Sequence, residues 1–398
     1  MIKFIGYCRI GEEGIFMLDL SESREKIDEI DAQIVKLIEE RMTITNDVAQ
    51  YKIKTGKPVL DREREGEKHR VLETMTHTIF NAKAVYELYE QIMSISRKYQ
   101  YSLINRMMPD TSDVIGFEKV DAINFSKDAT VYYFGTRGTY TQAAMEEIFG
   151  SKVKAVHEPT FRGVMEAVRD GLADFGVLPI ENSSTGGVTA NYDSILEYPN
   201  AIVGQHVMQI RQCLVGLPGV HLNEIKNVYS HPQGLMQCRE FLEKHPGMCG
   251  VEYESTAAGA KKVRDDRDPS QAAIASERAA KEYGLEVLAS DIQTDKDNST
   301  RFIILGPDSI YTEQSNKISL CIELPHVSGS LYRILSHFLF NDLNLTLIES
   351  RPIPGSQWEY RFFVDVEGNL DDPAVKNALR GIKEEAALLR ILGNYKSE

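Results

Sequence analysis

SESREKIDEIDAQIVKLIEERMTITNDVAQYKIKT, residues 21–55, is the stretch from which the rest of the chain is read. Ile27, Ile30, Ile34, Leu37, Ile38 and Val48 recur at i, i+3, i+4 spacing and mark one face of a helix. Ser21 or Ser23 caps its start, with carboxylates nearby to suit the N-terminal dipole. Thr55-Gly56-Lys57-Pro58 supplies the stop. A helix of roughly 34 residues is long for a compact domain and has no partner of equal length in its own chain. At about 100° per residue, Arg41 and Lys52 fall within about 20° of each other, inside the stripe that holds Ile34 and Val48.

Burying two cations without partners costs several kcal/mol each. Two readings are open at this point. The side chains snorkel to the domain edge or pair with acidic neighbours, or this face lines a pocket for an anionic ligand. Arg24 lies about 25 Å from Arg41 along the axis, so it joins such a pocket only from a second chain. An intertwined dimer would also give the long helix something to bury against.

Outward from this helix, a second is expected from Asp61 to about His77 and a third from about Lys83 to Tyr101. Residues 21–104 therefore read as an all-α, three-helix domain behind a short extension, residues 1–20. Arg9, Glu12 and Glu13 interrupt that extension before a signal-peptide core forms, and Met17 is an alternative start. Residues 105–128 lose periodicity and read as a linker. From Ala129 to Gly306 short apolar runs such as ATVYYFG, DFGVLPIE and TRFIILG alternate with helical stretches, an α/β pattern. Residues 316–397 read as β-α-β-β-α-β, a ferredoxin-like α+β unit.

At 398 residues the chain has room for several domains, and 42% apolar with 26% charged residues is ordinary globular composition. A net charge of -14 disfavours nucleic acid or an anionic membrane as partner, and no apolar run approaches the ~20 residues of a membrane span. Cys8, Cys213, Cys238, Cys249 and Cys321 are scattered without a CxxC pair, which suits reduced cytoplasmic thiols and predicts no metal site. No GxGxxG fingerprint follows an early strand, so no nicotinamide cofactor is expected.

The helical segment closely resembles the all-helical class of chorismate mutases through SREKIDEIDAQIVKLIEER, YKIKTGKPVLDREREGE and a third helix ending SISRKYQ. That resemblance implies that Arg24 of a partner chain, Arg41 and Arg64 hold the two carboxylates of chorismate. It further implies Lys52 and Gln100 at the ether oxygen, Asp61 and Glu65 at the ring hydroxyl, and Ser96 lining the site. The residue types suit a pericyclic rearrangement, which needs no nucleophile and no cofactor, only a fixed conformer and a donor where charge develops on the ether oxygen. Gly66, inside the second helix, has no evident role.

Four polar islands interrupt the α/β segment: GTRGTYTQAA (135–144), PIENSSTGG (179–187), YSHPQ with ESTAA (229–233 and 254–258), and NSTRF (298–302). Such turns commonly bind anions, and just as commonly only cap helices. Together, over residues 129–306, they closely resemble a two-lobed prephenate dehydratase domain. The resemblance implies Thr300 as the leading catalytic residue, with Asn182, Ser183, Thr185, Gln233 and Ser255 lining the pocket and Glu181, Arg301 and Phe302 also binding the substrate. Thr is a poor acid by its own pKa, so Thr300 is expected to act as a positioned donor polarised by Arg301 or Glu181. His231 and His157 are read as structural.

The C-terminal unit resembles an ACT domain. Gly329-Ser330-Leu331 opens its first helix, and Glu349-Ser350-Arg351-Pro352 is the island found in phenylalanine-regulated dehydratases. The family more often has Gly-Ala-Leu, so Ser330 is expected to bear on effector selectivity; Trp358 lies near the same presumed site. The resemblances together imply a bifunctional chorismate mutase–prephenate dehydratase with chorismate and prephenate as substrates, phenylalanine as allosteric inhibitor, and at least a homodimer. The rival from another class is a non-catalytic sensor built on the α/β and ACT segments.

Overall fold

The computed structural model describes residues 20–108, 116–126, 128–184, 186–187, 189–356 and 359–397. The N-terminal extension, the alternative start at Met17 and Trp358 lie outside them. The chain divides into two compact units, Met1–Met107 and Met108–Glu398.

The first unit is three helices: α1 (Leu20–Thr55), α2 (Arg62–Thr74) and α3 (Ile79–Met107), with α1 and α2 both packed on α3. Asp61 is not the first residue of α2 but its cap, its side chain accepting from Arg64 N at 3.0 Å. The third helix begins four residues earlier than Lys83 and ends well beyond Tyr101, because nothing in the sequence breaks it at either point. Gly66 has open space around its Cα, and nothing in the structure explains it.

The apolar stripe of α1 is not its packed face. Ile27, Ile30 and Leu37 are 55–63% exposed, and Ile34, Ile38 and Val48 are 40–44% exposed. Thr45 and Ala49 are its buried residues, flanked by half-buried Arg41 and Lys52. That polar row, at i, i+4, i+8, i+11, meets α3. There Ser94, Ser96, Arg97, Lys98 and Gln100 are buried.

The second unit opens with β1 (Glu118–Lys119), β2 (Thr130–Phe134), α4 (Tyr140–Phe149), β3 (Lys154–Glu158), α5 (Phe161–Arg169), β4 (Phe175–Asn182), β5 (Gly186–Gly187), α6 (Thr189–Ile195) and β6 (Ala201–Gln209). An inserted lobe follows, with β7 (Cys213–Gly216), β8 (Asn227–Ser230), α7 (Pro232–Gln237), α8 (Arg239–Lys244), β9 (Cys249–Glu252), α9 (Thr256–Asp266), β10 (Gln271–Ala275), α10 (Glu277–Tyr283) and β11 (Glu286–Ala289). The chain returns through β12 (Ser299–Gly306) and β13 (Ile310–Tyr311). It closes with β14 (Lys317–Glu323), α11 (Ser330–Phe340), β15 (Leu345–Pro352), β16 (Tyr360–Glu367), α12 (Pro373–Glu385) and β17 (Leu388–Tyr395).

One sheet runs β15-β16-β14-β17-β6-β12-β4-β2-β3, and the inserted lobe has its own, β11-β7-β10-β8-β9. The first four strands of the long sheet, with α11 and α12, form the β-α-β-β-α-β unit. They join the α/β body where β17 meets β6 at Gly393 and Ile202; any Cβ at Gly393 would overlap the Ile202 carbonyl. A shared core, including Tyr192, Ile303, Leu305, Cys321, Phe363, Leu392 and Tyr395, spans that junction.

The stretch read as a linker is partly built in. Its strand β1 pairs with β13, and Phe125 packs edge-on against Phe149 at 5.5 Å and Phe175 at 5.4 Å. Two pairing residues and two isolated aromatic anchors, Phe117 and Phe125, leave no periodicity to read. Among the described residues no helix is long and apolar enough to cross a membrane, and no cluster of His, Cys, Asp or Glu is placed to hold a metal ion.

Candidate active sites

Residues of the long-sheet body and of the inserted lobe together line a cavity of about 420 Å³. Phe134, Phe161, Pro179 and Phe302 form an apolar wall on one side; His231, Gln233, Gly234, Gln237, Ser255 and Thr256 come from the inserted lobe, and Thr139, Tyr140, Thr141, Asn182, Ile210, Gln212 and Thr300 complete the lining. The helices α4 and α9 start at its edge, capped by Thr139 and Ser255, whose side chains accept from Gln142 N and Ala258 N. Helix N-termini and neutral amides are thus aimed into it, and no Lys or Arg is in its described lining. Tyr140 donates to Arg211 O at 2.6 Å, and burial pushes its phenol well above the ordinary value, so it is a neutral group.

Thr300 and Asn182 face each other across β12 and β4. The Asn182 amide is oriented by backbone groups on both sides: its Oδ1 accepts from Ser184 N at 3.1 Å, and its Nδ2 donates to Ser299 O at 3.2 Å. A backbone N–H can only donate and a carbonyl can only accept, so the nitrogen faces β12. It donates to Thr300 Oγ1 at 3.0 Å. The Thr300 hydroxyl therefore accepts from the protein and keeps its proton for whatever occupies the cavity.

In the first unit Arg41 Nη1 donates to Ser96 Oγ, and to Ile92 O at 3.5 Å. Burial lowers the Arg41 pKa, and Tyr89 and Glu65 oppose that shift. Lys52 Nζ reaches Val59 O at 2.6 Å, and Gln100 Nε2 donates to Ser96 O at 3.2 Å while its Oε1 is buried without a partner. Arg97 clasps Glu65 at 2.5 and 2.7 Å.

The chorismate mutase type II family model matches residues 23–101, and the prephenate dehydratase model matches residues 131–310. The bifunctional chorismate mutase/prephenate dehydratase of Aquifex aeolicus is 32% identical over 384 residues, 95% of this chain and 98% of its own. That of Escherichia coli is 30% identical over 383 residues, 94% and 95% of the two chains. The chain belongs to the bifunctional chorismate mutase/prephenate dehydratases. The crystal structure of the prephenate dehydratase from Arthrobacter aurescens in complex with L-Phe matches with 34% identity and a TM-score of 0.64, covering 67% of this chain and 90% of that one.

With the family in hand, the expected residues sort by place. In the dehydratase, Asn182, Gln233, Ser255, Thr300 and Phe302 line the cavity. Arg301 and Glu181 do not; alternation along the paired strands turns them to the opposite face, where they bind each other at 3.0 Å. Polarisation of Thr300 by either is therefore replaced by the Asn182 contact. Ser183 is turned to Ser299 N at 2.9 Å, and Thr185 lies outside the described residues. His231 caps α7, accepting from Gln233 N at 3.2 Å, but it also lines the cavity, so it is not purely structural; His157 is exposed on β3.

In the mutase unit Arg41, Ser96 and Gln100 are linked by hydrogen bonds, whereas Arg24 and Arg64 are exposed, Arg64 3.4 Å from Glu67. At the C-terminus, Gly329, Ser330 and Leu331 line a cavity of about 480 Å³, Gly329 with a left-handed φ of 77° just before α11. Ser330 Oγ is spent on Pro325 O and Val327 O at 2.7 and 2.8 Å. Glu349, Ser350, Arg351 and Pro352 are not in that lining. They lie on the edge strand β15, where Arg351 pairs with Asp193 of α6 at 2.7 Å.

Sequence reasoning passed over Tyr140, Gln212, Gln237, Arg97 and Lys98. Tyr140 sits inside the first polar island and Arg97-Lys98 inside SISRKYQ, so those signals were present. Gln212 and Gln237 flank apolar runs and carried none.

Proposed function

We propose that the helical unit converts chorismate to prephenate and the 420 Å³ cavity converts prephenate to phenylpyruvate, under feedback control by phenylalanine. The observation that carries the dehydratase reading is the polarity of the Asn182–Thr300 bond. It leaves a hydroxyl proton directed at the leaving C4 hydroxyl of prephenate. The electron pair of the ring carboxylate bond moves into the ring, CO2 departs, and the C4 hydroxyl, hydrogen-bonded by Thr300, leaves as water with one proton drawn from solvent. Helix N-termini and neutral amides hold the carboxylates less firmly than a guanidinium, which suits a step that must discharge one of them. Phe134, Phe161 and Phe302 fit the ring as it becomes aromatic.

In the mutase, Arg41 takes a carboxylate, and Lys52 with Gln100 stabilises charge growing on the ether oxygen as the C–O bond breaks. Glu65, steadied by Arg97, reaches the ring hydroxyl with Asp61. Arg64 closes over the substrate, and Arg24 arrives from a second copy of the chain. The uncovered apolar stripe of α1 supports that copy. At the other end, the 480 Å³ cavity of the ACT unit takes phenylalanine, its carboxylate toward the start of α11 and Glu349-Ser350-Arg351-Pro352 supplied across a dimer edge.

The test is turnover. Purified chain given chorismate releases phenylpyruvate without added cofactor, and phenylalanine suppresses the second step. Tight binding of chorismate or prephenate without turnover would establish the sensor reading in its place.

A further inference from the structure

We propose that Ser184 and Asn298, side chains outside the set that faces the substrate in the reading above, are positioning residues for the dehydration. They hold the Asn182 amide in the one orientation that leaves the Thr300 proton free. The inference rests on that reading of the dehydratase site.

The geometry is a chain of single-proton choices. Ser184 Oγ stands 2.7 Å from Asn182 Oδ1 and 3.0 Å from Asn298 Oδ1. A hydroxyl has one proton to give. Given to Asn182, it adds a second donor to the oxygen already held by Ser184 N at 3.1 Å, and both keep the nitrogen toward Thr300. An Asn182 amide turned the other way would present its oxygen to Thr300 and consume the proton that the substrate needs.

Asn298 decides where the Ser184 proton goes. It is 1% exposed, and with its oxygen toward Ser184 its Nδ2 is buried without a partner. A buried amide nitrogen left unpaired is costly. With the nitrogen toward Ser184 it donates to Ser184 Oγ instead, and that hydroxyl is left with Asn182 Oδ1 alone as acceptor. The relay then runs from Asn298 to Ser184, Asn182, Thr300 and the leaving hydroxyl. Asn298 also fixes the neighbouring turn, its carbonyl accepting from Ile210 N at 2.8 Å, so the relay is anchored to both β6 and β12.

Ser184→Ala tests it in the full chain. Ser184 is exposed in a turn, so its truncation leaves folding intact. The expected result is a fall of about 10- to 50-fold in kcat for prephenate with KM within about 2-fold, the pattern of a contact made in the transition state only. Ser184→Thr, which keeps the hydroxyl, returns most of the rate. Asn298→Ala behaves as Ser184→Ala does. In a Thr300→Ser background, which keeps a hydroxyl to be oriented, Ser184→Ala costs the same factor; in Thr300→Ala it costs under 2-fold. Equal losses in both backgrounds, or a wild-type kcat in Ser184→Ala, would overturn the relay. A Thr300→Ala chain that dehydrates prephenate at near the normal rate would instead overturn the underlying reading.

Discussion

Truncating Asp365 asks whether the strand that carries Thr300 is held from behind. Arg301, next to Thr300 on β12, is 9% exposed and lies between Glu181 at 3.0 Å and Asp365 at 2.7 Å. Asp365 also accepts from Ser319 Oγ at 2.6 Å, and Ser319 is 2.8 Å from the Tyr395 hydroxyl. Burial alone pulls the Arg301 pKa down, but Asp365, Tyr395, Tyr192 and Glu181 together carry it above the usual arginine value. Opposite charges about 4 Å apart attract by about 4 kcal/mol at an effective dielectric near 20. Removing one member of a buried pair costs about 3–5 kcal/mol. Glu181 stays behind in Asp365→Ala, so the lower end, about 3 kcal/mol, is expected. At about 2–4 °C per kcal/mol for a large domain, the melt of the dehydratase falls by about 6–12 °C. Circular dichroism melts measure it, with residual dehydratase activity after timed heating as a second probe. Arg301→Met with Asp365→Leu, which removes both charges, recovers much of the loss. A melt for Asp365→Ala within about 1 °C of wild type would show that this network holds nothing.

Lys52→Ala is expected to lower chorismate turnover by about 100-fold or more while added prephenate is still dehydrated; loss of both reactions would sink the separate-site model. Thr300→Ala should do the reverse, with a dehydratase kcat down about 100-fold and mutase rates kept, measured by chorismate loss against phenylpyruvate formation. Burial pushes the Cys238 and Cys321 thiols up to about 12 and raises Cys213, so alkylation at pH 8 followed by peptide mapping should mark exposed Cys249 and spare those three. Their folded pKa values lie above the unfolded ones. The stability they contribute is complete below about pH 9 and is lost as pH rises toward 12, so the urea midpoint should fall from pH 9 upward.

The elements were legible because each carries its own period. TRFIILG and DFGVLPIE are continuous apolar runs, and both became central strands buried on two sides, β12 and β4. What could not be read is where neighbouring runs fold onto one another. The junction of β17 with β6 is one residue pair, and the anchors Phe117 and Phe125 sit singly among polar residues. Facing was the other loss. Thr300-Arg301-Phe302 reads as one polar-rich triplet, yet pleating sends Thr300 and Phe302 into the cavity and Arg301 into the shared core. Sequence spacing alone cannot say which of two faces is the pocket when both are buried.

A related ambiguity attends the first helix, where periodicity alone does not say which residues pack within the chain. A stripe of Ile and Leu would normally be the inner face of an amphipathic helix. Here the single chain buries Thr45 and Ala49, half-buries Arg41 and Lys52 in the C-terminal half of that face, and leaves the apolar residues of its N-terminal half open. Both halves are explained if the C-terminal one faces a ligand and the N-terminal one a second copy. Cations half-buried against α3 cost free energy, and apolar residues left in water cost free energy as well. Arg24 links the two costs, since it stands on the same helix about 25 Å from Arg41 and reaches a mutase site only when the apolar row is covered by another α1. In the proposed reading, dimerisation and chorismate binding at this end of the chain are two consequences of one helix.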